Sequence, residues 1–329
     1  MPMTNENTDP VQHNAVFHMK EDQTPPDFRC GYVTIIGEPN VGKSTLMNRF
    51  LQQKISIVTH KPQTTRHRVL GILSTSSTQI IFLDTPGIIA PRYALHEAMM
   101  EHAAVAINDA DVLLFMVDAT KRIPDAGNES EAIGGEAFEK VKSAGRRTFL
   151  VVNKIDSIDE ARHAPVLEYY QSQFTFQKSF AIAALRGTGT DELLASITVA
   201  LPVHPPYYPL DVVSEHPERF FVAEIIREKI FLQYQEEIPY STTVEIREFR
   251  ERENGKWLVD ANIYVERDSQ KGILIGKGGN ALKEIGKRAR KDIETFLQHP
   301  IYLQLFVKVR KEWRDDPKWV DRLGYKAKE

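Results

Sequence analysis

The residues with the clearest chemistry lie in one short segment, from Gly37 to Ser44. Gly37 and Gly42 stand five positions apart, and Lys43 and Ser44 follow directly. Glycines at this spacing let backbone N–H groups curve around phosphate oxygens, while the lysine adds charge and the serine hydroxyl can bind Mg²⁺. A chance glycine-rich turn is the alternative, but an apolar run precedes the segment and a helical pattern follows it, which favours a triphosphate site. The candidate residues are Gly37, Glu38, Pro39, Asn40, Val41, Gly42, Lys43, Ser44 and Thr45.

A second polar segment, Asp84-Thr85-Pro86-Gly87, follows the apolar run Ile80–Leu83. A carboxylate at the end of a strand can hold Mg²⁺ through a water molecule, and the N–H of Gly87 can reach a γ-phosphate. On its own such a segment is more often a simple turn. Downstream of a phosphate-binding loop, the metal-holding interpretation is favoured.

The segment Asn153-Lys154-Ile155-Asp156 carries the groups that could select a base. Asp156 can accept two hydrogen bonds from the N1–H and 2-amino groups of guanine, and adenine offers no such donor pair. Lys154 can lie along the ring face, and Asn153 can brace the neighbouring loops. The segment follows the apolar run Thr148–Val152, which would deliver it to the edge of a sheet where ligands bind.

Together these segments resemble the translation-factor class of P-loop GTPases. In that class a Ser-Ala segment follows a later strand, and an alanine N–H meets O6 of guanine. Here the run Ser179–Ala183 leads to Ala183, Ala184 and Leu185, so alanine stands where serine is common. We expect the N–H of Ala184 to be available to the base, and the loop to be less rigid without the serine hydroxyl.

The polar segment from Lys61 to Arg66 is the predicted switch loop. The resemblance implies that one of its threonines closes over the γ-phosphate and completes the Mg²⁺ shell. It favours Thr65 and leaves Thr64 as the alternative, whereas spacing alone says little about either threonine. The metal-binding residues are then Ser44, Thr65 and, through water, Asp84. The residues assigned to the catalytic step are Lys43, Thr65, Gly87 and Asn40.

Ile88 follows Gly87 at the position where many GTPases place a glutamine that orients the attacking water. An aliphatic side chain cannot form that hydrogen bond, so we expect slow intrinsic hydrolysis unless another group or ion helps. The resemblance is to GTPases with a hydrophobic residue here. In several of them the asparagine matching Asn40 helps to bind K⁺. The implied cofactors are therefore Mg²⁺ and, as a hypothesis, K⁺.

The elements that must position these residues are predicted by hydrophobic pattern. Short β-rich runs without period-two alternation indicate strands buried on both faces, and the segments between them can hold crossover helices. We predict an α/β P-loop GTPase domain over residues 29–201, with a mostly parallel sheet, helices on both faces and an antiparallel edge strand at Arg68–Ser74. The other strands are Tyr32–Ile36, Ile80–Leu83, Val112–Val117, Thr148–Val152 and Ser179–Ala183.

A proline-rich linker is predicted at residues 202–214, because four prolines cannot continue a helix. Residues 215–329 then predict an α+β domain in the order helix, strand, strand, helix, strand, helix. Asn254-Gly255 favours a hairpin between the first two strands. A closing helix is predicted from Lys311 to Leu323.

Four residues, Gly276-Lys277-Gly278-Gly279, open the amphipathic helix of this second domain. They fit the GxxG loop of a KH domain, which clamps a short single strand by its backbone. Lysines recur every four residues on the helix that follows, so they share one face. Such a face is often merely solvated, but loop, helix and element order agree on RNA binding. The predicted RNA contacts are Gly276, Lys277, Gly278, Gly279, Lys283, Lys287 and Lys291.

The order of these motifs resembles one bacterial family, Era, which joins a GTPase domain to a type II KH domain. The matching segments are Gly37–Thr45, Lys61–Arg68, Asp84–Gly87, Asn153–Asp156, Glu224–Lys229 and Pro239–Ser241. The resemblance implies a GTP/GDP switch that binds the 3′ end of small-subunit rRNA and assists maturation of the small ribosomal subunit. It also implies a cytoplasmic protein with peripheral contact to the inner membrane. We expect a monomer.

Composition narrows the function classes. The chain has 329 residues, of which 42% are hydrophobic and 26% charged, as in soluble proteins of about two domains. A net charge of −3 excludes a globally basic coat protein, yet Lys271 to Glu329 holds 15 basic and 8 acidic residues. This basic end suggests an anionic partner. A single cysteine, Cys30, excludes an internal disulfide framework. No apolar run approaches the roughly 20 residues of a membrane span.

Residues 1–28 are predicted to be a disordered tail, since they are proline-containing and polar and have no helical period. Two alternatives to the switch remain open. One is a non-enzymatic RNA-binding protein with a degenerate nucleotide site, for which Ala183 is the support. The other is an ATP-dependent small-molecule kinase, against which Asp156 argues.

Overall fold

The first domain is built on a six-stranded sheet. The computed structural model describes residues 24–123, 135–253 and 255–326. The strands are Arg29–Ile36 (β1), Val69–Ser74 (β2), Thr78–Asp84 (β3), Val112–Asp118 (β4), Thr148–Asn153 (β5) and Lys178–Ile182 (β6). They lie in the order β2-β3-β1-β4-β5-β6, and only β2 is antiparallel to its neighbour. This confirms the predicted mostly parallel sheet and its antiparallel edge strand.

Helices cover both faces of this sheet. They are Lys43–Leu51 (α1), Ala94–Asp109 (α2), Gly135–Ala144 (α3), His163–Gln173 (α4) and Thr190–Ala200 (α5). α1 and α5 pack on one face, where Leu46, Ile197 and the strand residue Val33 belong to one apolar cluster. α2, α3 and α4 supply the cluster on the other face. The strands are therefore apolar on both sides, which explains their continuous hydrophobic runs.

The second domain is smaller and mixed. Its elements are Glu218–Gln233 (α6), Glu237–Ser241 (α7), Thr243–Arg250 (β7), Trp257–Val265 (β8), Asp268–Ile275 (α8), Asn280–Leu297 (α9), Ile301–Val309 (β9) and Pro317–Arg322 (α10). β7 and β8 are antiparallel, as the hairpin signal predicted, although Asn254 itself lies outside the described residues. β8 and β9 are parallel, so the chain must cross over between them, and α8 and α9 form that crossover.

Three local predictions differ from the structure. α7 and α8 are not predicted, because with five and eight residues they are too short to show a helical period. The closing helix is shorter than predicted and begins at Pro317, because proline occupies a first turn but not a helix interior, and Asp316 caps it by accepting from the Lys318 N–H. Phe28, placed in the disordered tail, is 1% exposed and packs with Cys30. Residues 1–23 of that tail lie outside the described residues.

The proline-rich segment runs along the first domain rather than away from it. The N–H of Cys30 donates to the carbonyl of Pro202 at 3.2 Å, and the N–H of Ile72 donates to the carbonyl of Val213 at 2.7 Å. Val213 thus covers part of the open edge of β2. Within the described ranges, every helix is too short or too polar to cross a lipid bilayer.

Candidate nucleotide site and nucleic-acid interface

The phosphate-binding segment forms the turn between β1 and α1. The Nζ of Lys43 bends back over this loop and lies 3.1 Å from the carbonyl oxygen of Gly37 and 2.8 Å from that of Glu38. A Cβ at Gly37 would lie 2.2 Å from the carbonyl oxygen of Met116, so only glycine fits there. Gly42 has φ +107° at the start of α1. The loop therefore has the tight curvature that a phosphate group requires.

The ammonium of Lys43 is buried, with 6% of the residue exposed. Burial lowers the pKa of Lys43 to about 8, and the nearby carboxylates of Asp84 and Glu38 offset only part of that effect. A buried cation with incomplete charge compensation favours an anion beside it. A triphosphate held by this loop would provide that anion.

Three oxygen-bearing side chains converge next to Lys43. The hydroxyl of Ser44 donates to Oδ2 of Asp84 at 2.6 Å, and Oγ1 of Thr65 lies 3.0 Å from Oγ of Ser44. Thr65 is also 3.4 Å from Oδ2 of Asp84. Thr64 instead turns its hydroxyl to the carbonyl of Lys61 at 2.7 Å. The geometry therefore favours Thr65 over Thr64 as the switch residue that faces this cluster.

The cluster fits a hard divalent cation. Oδ1 of Asp84 is buried and has no hydrogen-bond partner among the described residues. Burial also raises the pKa of Asp84, because the hydrogen bond from Ser44 and the charge of Lys43 compensate only partly. Hydroxyl and carboxylate oxygens are the ligands that Mg²⁺ prefers. A cation with its bound water would satisfy the unpaired oxygen and restore the charge balance.

Asn153 ties the phosphate loop to the base-binding loop. Its Nδ2 donates to the carbonyl of Val41 at 2.7 Å, and its Oδ1 accepts from the N–H of Ala184 at 2.9 Å. The Ala184 N–H, which we expect to serve the base, donates here to Asn153, and its contact with guanine stays a prediction. The bracing role that we expected of Asn153 matches these two contacts.

The Ala183 loop is closed by its own backbone. The N–H groups of Arg186 and Gly187 donate to the carbonyl of Ala183, and the Ala183 N–H donates to Thr188. These bonds close the turn without a serine hydroxyl, so the expected loss of rigidity does not follow from the Ala183 substitution. Leu185 lies at the mouth of the site and is 80% exposed.

The base-selecting carboxylate is held by an arginine. Oδ2 of Asp156 lies 2.9 Å from Nε of Arg186, an exposed side chain that a guanine ring would replace at the carboxylate. Lys154 is fixed by Asp118, with 2.6 Å between Nζ and Oδ2. Burial would raise the pKa of Asp118, but hydrogen bonds from Lys154 and Thr120 lower it overall. Sequence reasoning missed Asp118, although its place at the end of β4 parallels that of Asp84 on β3.

A cavity of about 480 Å³ connects these parts, with Lys43, Thr65 and Asp156 among its walls. Its size lies in the range of small-ligand sites. Sequence reasoning missed four lining residues from the segment just before the switch loop. They are Ile57, Val58, Thr59 and His60. Asn40 joins this segment to the phosphate loop, because its Nδ2 donates to the carbonyl of His60 at 2.8 Å.

The GxxG segment of the second domain forms the turn between α8 and α9. Gly276, Gly278 and Gly279 have φ values of +71°, +60° and +77°, which glycine adopts without strain. Lys277 is exposed at its tip. On α9 the buried face contains Ile285, Ala289 and Ile293. The three lysines predicted to contact RNA, Lys283, Lys287 and Lys291, are all exposed.

Comparison with known proteins covers both domains. Residues 32–154 match the family model described as "50S ribosome-binding GTPase", and residues 237–314 match the KH domain model. Two curated relatives named GTPase Era are each 44% identical to this chain. The relative from Lacticaseibacillus paracasei matches over 92% of this chain and 99% of its own length. The relative from Geobacter metallireducens matches over 91% of this chain and 98% of its own length. Two solved structures, each 39% identical with a TM-score of 0.84, cover 91% of this chain and 100% of their own. One is an Aquifex aeolicus Era variant bound to GDP·AlF4⁻; the other is Era with MgGDPNP and nucleotides 1506–1542 of 16S ribosomal RNA.

Proposed function

The chain belongs to the Era family of GTPases and hydrolyses GTP, and we propose that it couples this reaction to binding of the 3′ end of small-subunit rRNA. The observation that carries the proposal is the match, over 91% of this chain, to an Era structure containing 16S rRNA. In this chain the glycines of the GxxG loop have positive φ values. The "50S" description belongs to a match with the first domain alone, at residues 32–154. We therefore favour a role in assembly of the small subunit.

Each residue of the nucleotide site has a defined task in this reaction. Asp156 selects guanine through two hydrogen bonds, and Lys43 binds the β- and γ-phosphates. The N–H of Gly87 faces the γ-phosphate. Ser44, Thr65 and, through water, Asp84 would hold Mg²⁺, which neutralises charge on the phosphate oxygens when bound. In phosphoryl transfer the protein itself forms few covalent bonds. The catalysis therefore comes from positioning the triphosphate and from compensating its negative charge.

The proposed location of the protein rests on family membership alone. We propose a cytoplasmic monomer that associates with the inner membrane only peripherally. Release of the protein from sedimented membranes by a high-salt wash would support peripheral association. Retention after that wash would contradict it.

RNA affinity should depend on the bound nucleotide. We expect the RNA fragment 1506–1542 to bind at least about tenfold more tightly to the Mg·GDPNP form than to the GDP form, because the triphosphate orders the Thr65 loop. Fluorescence anisotropy with end-labelled RNA measures both affinities, and an RNA of the complementary sequence serves as the control. Equal affinity of the two forms would show that nucleotide and RNA are not coupled.

K⁺ should accelerate hydrolysis. Ile88 is 4% exposed and packs in the sheet core, so its side chain cannot orient water. Asn40 lies beside the His60 carbonyl at the mouth of the phosphate site, where amide and carbonyl oxygens could bind a monovalent cation. We expect turnover in KCl to exceed turnover in NaCl by about tenfold or more. The difference should vanish in Asn40→Ala, and equal turnover of the wild type in both salts would refute the role of K⁺.

A further inference from the structure

The switch loop is anchored in the second domain on both sides of Thr65. Before it, the carbonyl oxygen of Thr64 accepts a hydrogen bond from Nη2 of Arg227, on α6, at 2.5 Å. After it, the guanidinium of Arg66 reaches three main-chain carbonyls at the C-terminal end of α7. They belong to Pro239, Tyr240 and Thr242, at 3.1, 2.9 and 2.8 Å. The two peptide neighbours of Thr65 are thus held by the KH domain.

These contacts are buried rather than superficial. Arg66 and Arg227 are each 1% exposed. Arg227 is held by Glu224, which accepts from both Nε and Nη2, so its charge is compensated inside the KH domain. Arg66 has its positive charge against the negative end of α7 and near the ring of Phe231. Because removing one partner of a buried charged contact is costly, this arrangement fixes the loop firmly.

A second cation of the loop, Lys61, also donates to carbonyls at a helix end. Nζ of Lys61 donates to the carbonyls of Phe231 and Tyr234, at the C-terminal end of α6. Lys61 and Arg66 therefore connect the loop to the C-terminal ends of α6 and α7, and Thr64 connects it to Arg227 within α6. Thr65 is the member of this loop whose hydroxyl turns the other way, toward Ser44 and Asp84.

We propose that Arg227 is a positioning residue for GTP hydrolysis, since by holding the Thr64 carbonyl it keeps the Thr65 hydroxyl at the Mg²⁺ cluster. The inference rests on the proposed function and deepens it, because it makes the RNA-binding domain part of the GTPase site. Binding free energies are reciprocal. A triphosphate that orders Thr65 must therefore also stabilise the docked position of Arg227 and of α7.

The test uses Arg227→Lys in the full-length protein. Lysine preserves the positive charge beside Glu224, but a single ammonium cannot reproduce the planar fork that reaches both Glu224 and the Thr64 carbonyl. We expect kcat for GTP to fall about ten- to one-hundredfold, as for a lost charged hydrogen bond. We also expect the Mg²⁺ concentration for half-maximal rate to rise. GDP affinity should not change, because Lys43 and Asp156 bind GDP without Thr65.

The matched control is Arg219→Lys, on the same helix, whose guanidinium donates to the Ile246 carbonyl within the KH domain at 2.8 Å. The inference is overturned if Arg227→Lys keeps the kcat and Mg²⁺ dependence of this control, or if GDP affinity falls in parallel with kcat. If a thermal melt shows that Arg227→Lys does not fold, Arg66→Lys takes its place with the same expected and contradicting results. A wild-type protein that does not hydrolyse GTP would instead contradict the activity itself.

Discussion

Replacing Lys43 with alanine should lower kcat for GTP hydrolysis by about a hundred- to a thousandfold. Nζ of Lys43 lies over the phosphate loop, 2.8 Å from the carbonyl of Glu38, and is the one cation at that point of the cavity wall within the described residues. In the proposed role this charge faces the oxygens between the β- and γ-phosphates, where charge develops in the transition state. Losses of this size follow removal of one preorganised donor at such a position. Phosphate release at saturating GTP and Mg²⁺ measures the effect.

The same substitution should not weaken the fold. Burial lowers the pKa of Lys43 to about 8, so the charged ammonium is disfavoured in the folded protein relative to the unfolded chain, and alanine removes that cost at neutral pH. We therefore expect an unchanged or higher Tm. Lys142→Ala, at an exposed lysine paired with Glu139 on α3, is the control for charge alone. Activity of Lys43→Ala within tenfold of the wild type would contradict the assigned role of the lysine.

The nucleotide site could be predicted because its parts are local in the sequence. Gly37, Asp84 and Asn153 each stand at or next to the carboxyl end of a strand in one mostly parallel sheet, so the sheet brings them to one edge. The spacing of the motifs indicates which chemical groups each segment provides, and the order of the strands brings those segments close together. The fold class followed from the same pattern, since buried strands alternate with segments long enough for crossover helices.

The contacts between the domains could not be predicted in this way. Arg66 and its partner carbonyls on α7 are more than 170 positions apart, and Arg227 is 163 positions from Thr64. Hydrophobic periodicity predicts helices and strands, but it does not predict which backbone carbonyls at the end of a helix will contact another domain. One signal was present: α6 has charged residues, among them Arg227, within an otherwise apolar helix. A helix that is buried on most sides must pair such charges with another element.

The linkage of Thr65 to α6 and α7 gives the two domains a shared element. In the proposed mechanism the nucleotide acts on the hydroxyl of Thr65, while α6 and α7 of the second domain hold the peptide groups on either side of it. A change at the nucleotide site can therefore reach the second domain through the peptide bonds on either side of Thr65. Coupling of this kind needs no long pathway through the protein core.

RNA binding should be lost when the tip of the GxxG loop is made acidic. In the double substitution Lys277→Asp and Gly278→Asp, two carboxylates replace a cation and a glycine at the point that faces a phosphate backbone. Lys277 is exposed, and a Cβ at Gly278 would meet nothing within 4 Å, so the side chains fit. The φ of +60° at Gly278 is one that aspartate tolerates. We expect affinity for the RNA fragment to fall at least about a hundredfold in fluorescence anisotropy.

The neutral pair Lys277→Asn and Gly278→Asn separates charge from backbone strain, because asparagine has the shape of aspartate without its charge. The neutral pair should weaken RNA binding by much less than the acidic pair does. It should also reduce the salt dependence of RNA affinity by the amount that corresponds to about one phosphate contact. GDP affinity should stay within about twofold of the wild type in both double variants, because substitutions far from the nucleotide site have little energetic coupling to it. If the acidic and neutral variants lost RNA affinity equally, backbone distortion rather than phosphate contact would explain the loss, and the GxxG loop would not be the clamp that holds the RNA backbone.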